Sequence, residues 1–217
     1  MGVALHLWGA VEVRGNPGEI LFLTFAGGFW LIGAIHLFPW LGLSWEADVV
    51  ERKNGAACAA LSGAMLAVTL VYAGGNLGEG PTHWENFFSA GVGTAGLLVL
   101  WLLLELGAKV SVSITEERDL ASGVRMGGFL VAIGLILGRA VAGDWVSEEA
   151  TIRDFVRDGW PALALCALAL PVERLARPSR GRPFPAVKAF GLFPAVIYLA
   201  LASGWLWYLG AWEGMPR

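Results

Sequence analysis

Long apolar stretches separated by short charged ones dominate this chain. They lie at about residues 20–43, 55–74, 87–108, 121–141, 160–172 and 189–209. A membrane-crossing helix needs about 20 largely apolar residues. Five of the six runs meet that length, and 160–172 falls short. None alternates in hydrophobicity over about ten positions, as strands of a membrane barrel do. In lipid, a lone apolar run satisfies its backbone only as a helix. The expected fold is therefore all-α: a polytopic membrane protein of about six transmembrane helices, arranged as three helical hairpins.

Before the first run, residues 1–19 form a separate N-terminal segment. Leu5, Leu7, Trp8 and Val11 accompany one acid, Glu12, and Asn16-Pro17-Gly18 then breaks the chain. The segment lacks the basic start and cleavage site of a signal peptide. It reads as a short interfacial helix or as a frayed apolar tail. Residues 20–142 hold four spans. Residues 143–217 hold an acidic loop and the third hairpin.

Composition moves the chain out of the soluble class. Hydrophobic residues make up 56% and charged ones 15%, against about 25% charged in ordinary globular domains. The net charge of −3 gives no basic footprint, so no nucleic-acid partner is expected. Two cysteines, Cys58 and Cys166, cannot make a disulfide framework.

Orientation follows from the cations. The connectors 44–54, 109–120 and 173–188 carry Arg52, Lys53, Lys109, Arg118, Arg174, Arg177, Arg180, Arg182 and Lys188, nine of the fifteen. Arg14, Arg153, Arg157 and Arg217 fall on the other side. Both termini are thus expected outside. Trp84, Trp145, Trp160, Trp205, Trp207 and Trp212 gather at the outer end as an aromatic belt. Arg174, Arg177, Arg180, Arg182 and Lys188 are candidates for binding anionic lipid head groups, and simple orientation explains them equally well.

Two stretches align at a spacing of 65: ERKNGAACAALSGAMLAVTL from Glu51 and EERDLASGVRMGGFLVAIGL from Glu116. Glu51, Asn54 and Ala56 fall on Glu116, Asp119 and Ala121, and Gly63 falls on Gly128. Asn54 and Asp119 are both good helix N-caps. The first two hairpins therefore read as an internal parallel repeat. Acid–x–x–Asn–x–Ala before a small-residue helix, twice in tandem, resembles the YjfL-type bacterial inner-membrane family, a domain of unknown function (number 350). The resemblance covers residues 20–142. It implies an oligomeric inner-membrane protein and no catalytic residue. Asp119 departs from the motif, and the third hairpin exceeds the four spans usual for the family.

Candidate chemistry is sparse. Glu105 and Arg125 lie inside spans, where ionisable groups are costly and functional by default. Each sits about ten residues from Thr115, so an ion pair between the third and fourth spans is expected, with separate snorkelling as the alternative. Arg139 is expected to reach outward toward Asp144. Gly123, Gly127, Gly134 and Gly138 share a face of the fourth span, and Ala59, Gly63 and Ala67 one of the second. Both suit close helix packing. Only His36 of three histidines lies within a span, and no catalytic or metal motif occurs, so no cofactor and no metal is expected.

These readings favour an envelope scaffold or membrane-stress sensor without a catalytic site. Its partners would be membrane lipid, further copies of itself and other membrane subunits. A channel or carrier using Glu105 and Arg125 is the alternative, with a membrane enzyme or redox subunit third.

Overall fold

The computed structural model describes residues 2–80, 82–179, 181 and 185–210. Among the described residues eight α-helices follow one another: α1 (Gly2–Trp8), α2 (Pro17–Ile35), α3 (Gly55–Gly74), α4 (His83–Ala108), α5 (Val110–Thr115), α6 (Leu120–Ala140), α7 (Glu148–Ala176) and α8 (Phe193–Tyr208). Short π-helical segments at Trp45–Glu51 and Val187–Leu192 lead toward α3 and into α8. The segments α2, α3, α4, α6, α7 and Val187–Tyr208 are each long and apolar enough to cross a membrane. The protein is an all-α polytopic membrane protein.

Side-chain caps fix most helix starts. Asn16, Asn54, Thr82, Asp119 and Ser147 each accept backbone N–H groups of the first turn, replacing partners that a helix end lacks. Thr82 and Glu85 complete a reciprocal capping box. Lys109, at φ 50°, breaks the long apolar run between α4 and α5.

Three sequence expectations change. The fifth span is not short: α7 begins at Glu148 and has 29 residues. Most of the expected acidic loop 144–158 is thus its first turns. Pro161 and Pro171 sit inside α7, where membrane helices tolerate them. The first span ends at Ile35, followed by a 3-10 turn at Phe38–Leu41 containing Pro39.

The bundle is centred on α3 and α6. They run parallel, since Gly63 meets Gly127 and Gly74 meets Gly138. A Cβ on Gly134 would lie 2.7 Å from Ala67 Cα, and one on Gly127 2.7 Å from the Ala59 carbonyl oxygen. Only glycine permits that approach, which brings backbone atoms into dispersion contact. α8 and the segment before it lie along another side of α6, with Ala195 of α8 against Gly128 and Gly191 of the preceding segment against Ala121. α7 packs on both α4 and α6.

The turns before α3 and α6 match position by position at a spacing of 65. Asn54 N–H donates to Asp48 O and Asp119 N–H to Ser113 O, both at 2.9 Å. Lys53 and Arg118 take φ 50° and 53°. Asn54 caps Ala56 and Ala57, and Asp119 caps Ala121 and Ser122.

At the other end two connectors are laced together. Gly143 N–H donates to Leu77 O, Trp145 N–H to Glu79 O, and Glu79 N–H to Asp144 Oδ1. The N-terminal segment docks here: Val11 N–H donates to the Glu79 carboxylate, while Leu5 and Val13 bury against Leu23 of α2.

Candidate functional site

Arg125 lies in the second turn of α6, on the flank away from the glycine seam, and is fully buried. A buried cation is tolerated only when paired and hydrogen-bonded. Its NH2 reaches Glu173 Oε2 on α7 at 2.5 Å and donates to Ser122 Oγ at 3.1 Å. Its NH1 donates to the Phe190 carbonyl in the turn before α8. Ser122 Oγ in turn donates to Asp119 Oδ2 at 2.6 Å. A polar chain thus runs from the α6 cap through Arg125 to α7 and α8.

The network is not closed. Arg125 Nε, Glu173 Oε1 and Tyr198 Oη are buried without a hydrogen-bond partner. Tyr198, on α8, packs edge-on against Phe129 of α6 with ring centroids 6.0 Å apart. Orphaned buried polar atoms are uncommon and costly. In a hairpin core they give the centre unused donor and acceptor capacity.

Arg125 is paired with Glu173 and not with Glu105, which corrects the sequence expectation. Glu105 accepts from Ser111 N–H at 2.9 Å and Ser111 Oγ at 2.6 Å, closing the α4–α5 corner. Depth matching placed Glu105 well along the membrane normal, but its face turns to α5. The apolar run ends at Val172, so hydropathy alone leaves Glu173 in the connector. A signal for the length of that helix lies at its other end. Ser147 followed by Glu148 and Glu149 is a capped, acidic helix start, while at the far end α7 runs past Val172 to Ala176, which makes Glu173 a helical residue.

Two more arginines bond across hairpins. Arg118 donates to the Arg52 carbonyl in the first turn. Arg174 donates through Nε and NH2 to Gly107 O at 2.9 and 2.6 Å, capping the end of α4. Asn54 Nδ2 donates to Ile114 O at 2.7 Å. All these bonds lie at one end of the bundle and join neighbouring turns. Glu51 and Glu116 of the repeated motif are exposed there.

Of the basic connector, Arg174 is committed to Gly107, Arg177 caps α7 and Lys188 is exposed. Arg180 and Arg182 lie outside the described residues, as do Trp212 and Arg217. Arg139 donates to Ala142 O at 3.4 Å, while the Asp144 carboxylate expected to receive it takes the Glu79 amide. His36 caps the end of α2 and bonds Ile32 O at 2.7 Å. His83 faces Glu19 at 3.5 Å. Among the described residues, no group of three or more His, Cys, Asp or Glu side chains is placed to hold a metal ion.

Fold and site together define a multi-pass helical membrane protein with one deeply buried ion pair joining its second and third hairpins. No family model matches the chain, and comparison with curated proteins and with solved structures finds no match.

Proposed function

We propose that this protein is a non-catalytic scaffold of the bacterial inner membrane, built of tandem hairpin repeats and working as a homo-oligomer. One observation carries the reading: Arg125, the one fully buried charged side chain among the described residues, spends its bonds on tying α6 to α7 and to the turn before α8. A cation used to hold hairpins together is a structural device. The repeated Asn54 and Asp119 turns, with their resemblance to the YjfL-type family, support the same assignment. The cation bias supports both termini outside, with the exposed Lys53, Lys109 and Lys188 at the cytoplasmic head groups. A reporter active only in the cytoplasm, fused at the C-terminus, should then stay silent; a strong signal refutes this orientation.

A second reading, an ion or proton carrier, is favoured by the orphaned atoms on Arg125, Glu173 and Tyr198. Proteoliposomes separate the two. A scaffold leaves imposed proton and potassium gradients decaying as in empty vesicles, and native mass spectrometry finds a defined assembly. Flux abolished by Glu173→Gln would overturn the scaffold in favour of the carrier.

A further inference from the structure

α2 packs on α3 and stands off α4, to which it is bridged at two levels. Near its start Phe22 lies against the His83 ring, with centroids 5.1 Å apart. Further along, Trp30 Nε1 donates to Thr94 Oγ1 at 3.1 Å. The space between the two helices is an apolar groove of about 590 Å³. Phe22, Ala26, Phe29 and Gly33 line one side at helical spacing, and Phe87 and Thr94 of α4 line the other. Phe22, Phe29 and Gly33 are exposed, so the groove opens sideways to the hydrocarbon. From Phe22 to Gly33 it runs about 16 Å at a rise of about 1.5 Å per residue, which is roughly one leaflet of a ~30 Å hydrocarbon core. A polar compartment of about 280 Å³ adjoins it, where the N-terminal segment docks. The ionisable groups lining that compartment are Glu12, Glu19 and His83. Glu19 Oε2 is buried there without a hydrogen-bond partner, and His83 Nε2 stands 3.5 Å from it. Arg14, from the same segment, is engaged by Glu79 and by the Gly9 carbonyl.

We propose that the two compartments together hold one phospholipid with an ethanolamine head group, its acyl chain in the α2–α4 groove and its ammonium at Glu19 and Glu12. The compartments follow the order of a lipid, polar at the helix starts and apolar inward from them. Charge complementarity selects the head group. A net anionic one would set its charge against two carboxylates, and like charges brought together are costly. Choline has no N–H to give, while the buried Glu19 oxygen lacks a donor. A primary ammonium brings three N–H donors and the opposite charge, and charge-assisted hydrogen bonds are the strong ones. The first turns of α2 and α4 line the same compartment, and helix starts favour the phosphate beside the amine. Width selects the tail. Spread over its length, the groove has a cross-section of about 37 Å², about half that of a helix ~10 Å across, so it admits a flexible chain and not a helix of a second copy. The Trp30 indole N–H is already spent on Thr94, which leaves that part of the groove wall apolar. The site is independent of the scaffold reading.

Full-length protein in mild detergent is titrated, by native mass spectrometry, with phosphatidylethanolamine, phosphatidylcholine and phosphatidylglycerol of identical chains. Phosphatidylethanolamine is expected to bind about tenfold tighter than either of the others, the worth of one hydrogen bond to a charged group. Glu19→Gln is expected to bring it down to the level of phosphatidylcholine, since the groove for the tail is unchanged. Gly33→Leu is expected to weaken all three lipids, because its side chain enters the groove. Gly28→Leu, on the α3 side of the same helix, is expected to leave them unchanged. Both glycines have open space around the missing Cβ, so both leucine variants are expected to melt with the parent. Equal binding of the three lipids by the parent, preference for phosphatidylglycerol, or equal effects of the two leucine variants overturns the proposal. So does a dimeric parent that Gly33→Leu turns into a monomer, which would give the groove to a second copy.

Discussion

Arg125 carries its charge where water cannot reach it, so its partners decide its cost. Removing one member of a buried pair leaves an uncompensated charge and costs about 3–5 kcal/mol, whereas replacing both with apolar residues is often neutral. Arg125→Leu and Glu173→Leu should each lower the melting temperature in detergent sharply, and the double variant should recover most of the loss. Glu105→Gln should cost about 1 kcal/mol through its bonds to Ser111 and should add independently to Arg125→Leu. Coupling between Glu105 and Arg125, with none between Arg125 and Glu173, would refute the geometry described. That Arg125 matters was legible in the sequence, since a cation within an apolar run is conspicuous. Its partner was not, because helix depth follows from counting residues while helix facing follows from packing.

Among the elements, α3 and α6 show how glycine spacing becomes contact. Four glycines on one face of α6 announced a close neighbour, and the four-residue spacings of α3 announced another. Nothing in either run stated that the two faces meet each other. At Gly134, an added side chain runs into Ala67 backbone 2.7 Å away, and overpacking of this kind costs about 1–3 kcal/mol. Gly134→Leu should therefore lower the melting temperature markedly. Gly28 on α2 has open space around its missing Cβ, so Gly28→Leu should stay within about 0.5 kcal/mol of the parent. Equal losses in the two variants would show that helix propensity, and not contact, sets the effect. The length of α7 is the element least visible in sequence. Its first three turns are acidic and escape a hydropathy reading, though Ser147 marks their start.

For the whole molecule, the third hairpin is the issue. Reading residues 20–142 as a unit treats the last two spans as an addition. Glu173 and the Phe190 carbonyl make them instead the inner coordination of Arg125. A chain ending at residue 142 would leave that cation facing lipid. It should express poorly and melt far below the parent, and Arg125→Leu in the shortened chain should restore yield. A shortened chain that is stable with Arg125 intact would show that the third hairpin is dispensable.

By itself the sequence determined the class and the number of crossings. Apolar run length is a local property, and lipid leaves a lone apolar run no choice but a helix. It also determined the two matched turns, because an Asn or Asp cap acts on amides two and three residues ahead. Tertiary structure alone decided which helix lies beside which, and so which carboxylate meets Arg125, which glycine face packs on which neighbour, and where a groove is left between α2 and α4. Those outcomes depend on rotation of each helix about its axis, a quantity that hydropathy averages away and that only mutual packing of the helices fixes.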